Sequence, residues 1–147
     1  MIIREFTGND IEAITLLMKN LCVLRGQEFD EERWRASLNE QTNRHSADEV
    51  LVALDEKTNL ITAMGKCSIM TSESGTRFGY ISNLIVKEES RRVGVGEDLM
   101  RHMIDYLKRN HINSIRLALK HNVDNGAKIL FTKLGFQEVL HVLELKI

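Results

Sequence analysis

The stretch IVKEESRRVGVGEDLMRHMIDYLKR, residues 85–109, sets two arginines and two glycines between a strand-like apolar run and an amphipathic segment. Leu99, Met100, Met103, Ile104 and Leu107 recur at helical spacing, which predicts a helix from about Gly96 to Asn110. A helix start offers about four unpaired N–H groups and a partial positive charge. Glycines just ahead of it let an anion approach the backbone, because no Cβ stands in the way. Arg91 and Arg92 add positive charge nearby. The segment therefore predicts an anion site, with phosphate or pyrophosphate favoured. A glycine turn flanked by solvated arginines remains the alternative at this point.

Two common phosphate motifs do not fit. A dinucleotide fingerprint needs a third glycine where Leu99 stands, and an acid at the end of the next strand, where LALKHN ends in Lys120 and His121. A P-loop needs Gly-Lys-Ser/Thr, but Glu97 and Asp98 follow the second glycine.

Working outward, FGYISNLIVK (78–87) reads as the strand that feeds the loop. EVLVALDEKTNLITAMGKCSIM (49–70) reads as two strands joined at Glu56–Asn59, and TSESGTR is the next turn. Nearer the N-terminus, IIREF is a short strand. Thr7 and Asp10 form a loose capping box, and Ile11, Ile14, Leu17, Met18, Leu21 and Leu24 mark a helix over 8–25. Asp30 is a candidate N-cap for a second helix carrying Trp34 and Leu38, and Gln41–Asp48 reads as a loop. Downstream, INSIRLAL is a strand, VDNGAKILFTKLGF a helix stopped by Gly135, and EVLHVLELKI a closing strand. The order is β-α-α-β-β-β-α-β-α-β. It predicts an α+β fold: a mixed, mostly antiparallel sheet of about six strands with helices on both faces. No linker or repeat divides the 147 residues, so 1–147 reads as one domain.

Composition narrows the function classes. Apolar residues make up 43% and charged residues 28%, and the net charge of −1 gives no basic field for nucleic acid. Cys22 and Cys67 lie far apart, without metal-ligand or disulfide-framework spacing, and read as buried small hydrophobes. The first residues lack a basic-then-apolar leader, and no apolar run approaches the roughly 20 residues of a membrane helix. The expectation is a cytoplasmic protein without a metal.

Three motifs in order resemble the GNAT superfamily of acetyl-CoA-dependent N-acetyltransferases. The family's pyrophosphate loop reads [Q/R]-x-x-G-x-[G/A], and Arg91-Arg92-Val93-Gly94-Val95-Gly96 matches it. Its preceding strand commonly ends L-x-V, as Leu84-Ile85-Val86 does here. Its last helix commonly reads A-x-x-x-Y-x-x-x-G-F, and AKILFTKLGF runs from Ala127 to Phe136. The resemblance implies a GNAT-like fold and transfer of the acetyl group of acetyl-CoA to a primary amine. The acceptor, a small molecule or peptide, attacks directly in a ternary complex. It further implies that the backbone of Leu84, Ile85 and Val86 pairs with the pantetheine arm beside a bulged, splayed strand. The N–H groups of Arg92, Val93, Gly94, Val95, Gly96 and Glu97 would hold pyrophosphate, with Arg91 adjacent. Asp124 or Asn125 stands where the family often has an asparagine on the cofactor. An N–H near Leu84 or Ile85 would be the oxyanion donor.

The chain departs from the family at two catalytic positions. The tyrosine that usually acts as general acid is Phe131, which donates no proton, and the usual strand carboxylate is Ser82. His121, at the end of the crossover strand, is a candidate base because an unperturbed imidazole titrates near pH 6.5. Tyr80 shares a face with Ser82 and Leu84 if no bulge intervenes. A surface histidine and a packed aromatic are the alternatives, and His45, His102, His111 and His141 show no ligand spacing. Acceptor selection is expected from the first two helices and the loop from Gln41 to Asp48, where Glu28, Asp30, Glu31 and Glu32 could attract a cationic amine. Strand edges in this fold class often pair between chains, so a homodimer is an open expectation. The missing acid and base also motivate a second reading, a non-catalytic acyl-CoA-binding sensor or regulatory module.

Overall fold

The computed structural model describes residues 1–42, 48–120 and 125–147. Strand β1 (Ile2–Glu5) leads through a 3-10 turn (Gly8–Asp10) into helix α1 (Ile11–Leu24), and α2 (Glu31–Thr42) follows. β2 (Glu49–Asp55), β3 (Leu60–Thr71) and β4 (Arg77–Val86) form a meander. Then come α3 (Val95–Arg109), β5 (Ile115–Leu117) and α4 (Asn125–Lys133). The five strands make one sheet in the order β1-β2-β3-β4-β5, antiparallel except for the parallel pair β4–β5.

Side chains alternate across a strand, and here both faces are covered. Val50 and Val52 of β2 pack beneath α1 and α2 with Ile14, Leu17, Leu21, Trp34 and Leu38. Leu51 and Ala53 face the other way, toward Leu99, Met100, Met103 and Leu107 of α3. This double burial explains why EVLVALD reads as a nearly continuous apolar run. The buried Trp34 Nε1–H donates to Thr15 Oγ1 at 3.1 Å, and the Thr15 hydroxyl donates to the Ile11 carbonyl at 2.6 Å. This chain of bonds fixes α2 against α1. Gly79 lets α3 sit close to the sheet, since a Cβ there would lie 2.7 Å from Leu107 Cδ1.

The register of β4 against β3 slips by one. Lys66 faces Ser82 and Met64 faces Ile85, so Asn83 and Leu84 together oppose Gly65. This is a β-bulge, and Asn83 takes the left-handed conformation at φ 53°. The bulge reverses the phase of the strand. Ile81 joins the core under α3, whereas Ile85, four residues on, joins the core under α1. Leu84 and Val86 pack on the α3 side.

Two expectations need correction. The strand read across INSIRLAL is only Ile115–Leu117, because β4 pairs with β5 from Gly79 to Ile81 and then turns away at the bulge. The closing strand read in EVLHVLELKI is absent: residues 136–147 carry no regular structure, and Val142, Leu143 and Leu145 are 83, 93 and 85% exposed. Alternation supplies strand propensity, but a strand exists only when an edge pairs with it. Among the described residues the sheet thus has five strands, close to the six or so expected, and the fold class stands.

The start of α1 is tied to β1 by a buried carboxylate. Arg4 donates to both oxygens of Asp10 at 2.6 and 3.2 Å, and the Thr7 backbone N–H donates to Asp10 at 2.7 Å. Burial opposes the charge on Asp10. The Arg4 and Thr7 hydrogen bonds and the Arg4 charge outweigh it, and they hold the carboxyl below its usual range. Its stabilising contribution is complete above the ordinary carboxylate range and is lost as pH falls through the depressed value. Asp10→Ala should therefore cost about 2 kcal/mol at neutral pH, a charge-assisted bond left unmade. In urea unfolding from neutral to acid pH, the variant should lose less stability than the parent. Equal acid dependence in both proteins would exclude this role for Asp10.

Candidate functional site

Beyond Ile81 and Leu117, β4 and β5 part, leaving a wedge whose one wall is the backbone of Ser82–Val86. β3 still pairs with the other edge of this segment as far as Val86, so among the described residues its cleft-side backbone has no neighbouring strand. Unsatisfied strand groups of this kind bind an extended polar chain by adding it as a strand.

The wedge runs directly into the arginine–glycine loop. The Lys87 N–H donates to Thr62 O at 2.7 Å, and the Arg91 side chain folds back so that its Nε–H donates to Val86 O at 2.9 Å. Arg92 and Gly94 both adopt left-handed backbone, φ 67° and 86°, which turns the chain sharply into α3. Gly94 is the N-cap, and the first bond inside the helix is Asp98 N–H to Gly94 O at 3.0 Å. Helix geometry thus gives the amides of Val95, Gly96 and Glu97 no partner within the helix. Apart from its two chain neighbours, no residue has an atom within 4 Å of where a Gly94 Cβ would stand. Three amides without a partner in the helix and two nearby arginines are the groups that an anion cradle needs.

Glu97, one of the two acids in the first turn of α3, is paired with two cations. Lys133 Nζ approaches it at 2.6 Å and Arg101 at 3.2 Å. Hydrogen bonds from Lys133 and then Arg101, with their charges, hold its carboxyl below the usual range. The Lys133 contact also fastens α4 to the first turn of α3. Nothing local in the sequence signals this pair, because the partners lie on different helices. The bulge residue Asn83 was equally unflagged. Its one signal is that asparagine tolerates left-handed backbone better than other non-glycine residues.

Of the other expected site residues, Tyr80 and Ser82 are half-buried on β4 opposite Ser68 and Lys66. They lie on the face of β4 opposite Ile81, the side of α1 and α2. The bulge intervenes, so Leu84 does not share their face. Phe131 is 8% exposed in the core beneath α3, edge-on to Phe136 with centroids 6.0 Å apart. His121 and Asp124 lie outside the described residues, as does His45, and Asn125 begins α4. His102 Nδ1 lies 2.8 Å from the Asp98 carbonyl, and His141 pairs with Glu138 at 3.3 Å, both on the surface.

The α1–α2 side holds an open cavity of about 310 Å3, lined by Met18, Cys22, Phe29 and Trp34 together with the charged Glu28, Asp30 and Arg33. Asp30 is committed to capping α2, accepting from the Arg33 N–H at 3.0 Å. Cys22 and Cys67 are free and buried. Burial, with the nearby charges of Glu49 and Asp48, pushes the Cys67 thiol up to about 12. It is therefore un-ionised at neutral pH and inert as a nucleophile. Among the described residues, no group of three or more His, Cys, Asp or Glu side chains could hold a metal ion, and no helix is long and apolar enough to cross a membrane.

Comparison with known proteins agrees with this geometry. The family model of the Acetyltransferase (GNAT) family matches residues 15–136, and the chain belongs to that family. It is 30% identical over 73 residues to GCN5-related N-acetyltransferase 6, chloroplastic, of Arabidopsis thaliana. That match takes in 50% of this chain and about a quarter, 25%, of the relative's length. Its fold is like that of a predicted acetyltransferase from Clostridium acetobutylicum solved with acetyl-CoA, with a TM-score of 0.77, 21% identity and coverage of 99 and 95% of the two chains. It is also like that of glucosamine-6-phosphate N-acetyltransferase from Arabidopsis thaliana, with a TM-score of 0.78, 16% identity and coverage of 99 and 97%.

The cradle makes a direct prediction. Gly94→Val puts a β-branched side chain at φ 86° and into the open space before α3. Affinity for a CoA thioester should fall at least about tenfold, with the circular dichroism of the fold retained. Unchanged affinity in a folded variant would show that the anion binds elsewhere.

Proposed function

We propose that residues 1–147 form an N-acetyltransferase unit that moves the acetyl group of acetyl-CoA to a primary amine by direct attack. The observation that carries this reading is the continuity of the unpaired β4 edge, Ser82–Val86, with the amide cradle at the start of α3. An extended arm ending in pyrophosphate fits that shape: backbone pairing along Leu84, Ile85 and Val86, then anion binding at Val93–Glu97 beside Arg91 and Arg92. Bound acetyl-CoA would supply the thioester carbonyl that the unprotonated amine attacks. An N–H of Leu84 or Ile85 at the bulge is the candidate donor to the carbonyl oxygen, because the bulge turns backbone groups out of the ladder. The un-ionised state of Cys67 supports direct attack over an acyl-enzyme route.

Proton handling falls to residues the family does not usually use. Ser82 and Tyr80 face the α1–α2 layer, from which an acceptor would enter, and Ser82 can position a water. His121 is the proposed base, and Asp124 or Asn125 would contact the cofactor. Glu28 and Asp30, which with Arg33 line the α1–α2 cavity, support recruitment of a cationic amine. A second reading, an acyl-CoA-binding sensor, is favoured by the burial of Phe131 in the core, which leaves the usual acid position without a proton donor.

Calorimetric titration with acetyl-CoA, desulfo-CoA and ATP tests the cofactor. Both CoA species should bind and ATP should not. Failure of both CoA species to bind would end the reading. An amine panel then separates enzyme from sensor. Turnover with intersecting initial-rate lines supports direct attack, parallel lines would contradict it, and no turnover on any amine supports the sensor. In an active protein, His121→Ala should lower the rate and remove a titration between pH 6 and 7. An unaltered pH–rate profile excludes His121.

A further inference from the structure

We propose that the acceptor is a diamine: one amine reacts in its neutral form, and a short apolar spacer joins it to a second amine that stays protonated and is held at the α1–α2 cavity. The inference rests on the acetyl-transfer reading above and adds the class of acceptor to it. The cavity, about 310 Å3, sits where α1 ends and α2 begins. At ~30 Å3 for each water-sized group, that volume holds about ten non-hydrogen atoms. Met18, Phe29 and Trp34 give it an apolar, partly aromatic wall, and its charged groups are two carboxylates, Glu28 and Asp30, against one guanidinium, Arg33. Aromatic rings beside carboxylates suit an ammonium carried on an alkyl chain.

The fold already seats an ammonium at this end of α1. Lys120, just past β5, reaches back so that its Nζ donates to the Arg25 carbonyl at 2.5 Å. Arg25 is the C-cap of α1, where helix carbonyls lack partners and the dipole is negative. Gln27, which lines the cavity, donates its N–H to the Cys22 carbonyl at 2.9 Å, so the cavity wall and the seat of Lys120 belong to one helix end. The contact of Lys120 brings the chain leaving β5, the far wall of the wedge, against that end. From the other wall, Ile85 shares a core cluster with Leu21, the neighbour of Cys22. The cavity therefore adjoins the wedge at the bulged segment of β4.

Charge explains why two amines are needed. An alkyl amine has a pKa of about 10 and is protonated at neutral pH, yet only its neutral form attacks a thioester. A site that binds cations raises the pKa of an amine placed in it. One nitrogen cannot be both held by charge and ready to react. With two, the distal ammonium takes the carboxylates and the helix end, and its charge lowers the pKa of the near amine across a short spacer. The lone pair of the near nitrogen then forms the C–N bond as the C–S bond breaks, and the proton that nitrogen loses ends on the thiolate. The products are the monoacetylated diamine and CoA, with the distal ammonium unchanged.

The test measures binding and turnover separately, using 1,5-diaminopentane, pentylamine and 5-aminopentanoate, which differ only at the distal end. Trp34 is the one tryptophan of the chain and lines the cavity, so its fluorescence reports occupancy in the complex with CoA. The diamine should bind at least about tenfold more tightly than the other two, with kcat/KM in the same order. Glu28→Gln should shrink that preference, and Lys120→Met, which removes the resident ammonium, should enlarge it. Selective binding of the diamine without turnover would support the cation-reading cavity and overturn only the transfer reading. Equal binding or equal kcat/KM for all three amines, no binding of the diamine, or a preference that Glu28→Gln leaves intact would overturn the proposal, and transfer to any of the amines would still stand.

Discussion

One extra residue in β4 governs the rest of the molecule. Because Asn83 and Leu84 share a single partner on β3, everything after them on the strand is rotated to the opposite face. Ile85 therefore anchors the core under α1 while Ile81 anchors the core under α3, and one strand locks both layers. The same bulge bends β4 away from β5 after three residue pairs, and that divergence is the cleft. A regular strand would seal the wedge and misdirect Leu84 and Val86. Asn83, which tolerates left-handed backbone, accommodates the bulge from which the two strands diverge.

The anion cradle depends on this divergence for its alignment. Val86 ends the free edge, and the Arg91 guanidinium grips its carbonyl, so the loop cannot swing away from the strand that feeds it. Gly94 then turns the chain into α3, which is pressed onto the sheet at Gly79 by Leu107. The ion pairs of Glu97 with Arg101 and Lys133 offset one of the two acidic charges of the first turn, the other being Asp98. Backbone pairing, backbone amides and local charge thus lie along one line, an arrangement suited to a ligand with an extended arm and a doubly charged middle.

Much of this was legible in the sequence, for identifiable reasons. Apolar runs flanked by turn residues gave the meander, and helical periodicity located α1 and α3 to within a few residues. The glycine pair marked the turn into α3, where Gly94 takes left-handed backbone at the N-cap. The bulge was expected only through family resemblance, since its local mark is one asparagine among ordinary strand residues. The closing strand was misread because alternation reports propensity, and whether an edge is available is a property of the whole sheet. Phe131 was legible as a departure, but its burial was not, since an aromatic at a core position and one at a catalytic position look alike in sequence. The proposed relay residues Ser82 and Tyr80 carry no motif, so only their placement on β4 recommends them.

The central claim is that the divergent edge of β4 and the start of α3 are one continuous binding surface. Amide hydrogen exchange with and without saturating CoA tests it directly. The account predicts slowed exchange at both Asn83–Val86 and Val93–Glu97, with the cores under α1 and α3 unchanged. Protection confined to one of these segments, or appearing instead around Trp34 and the α1–α2 cavity, would contradict it.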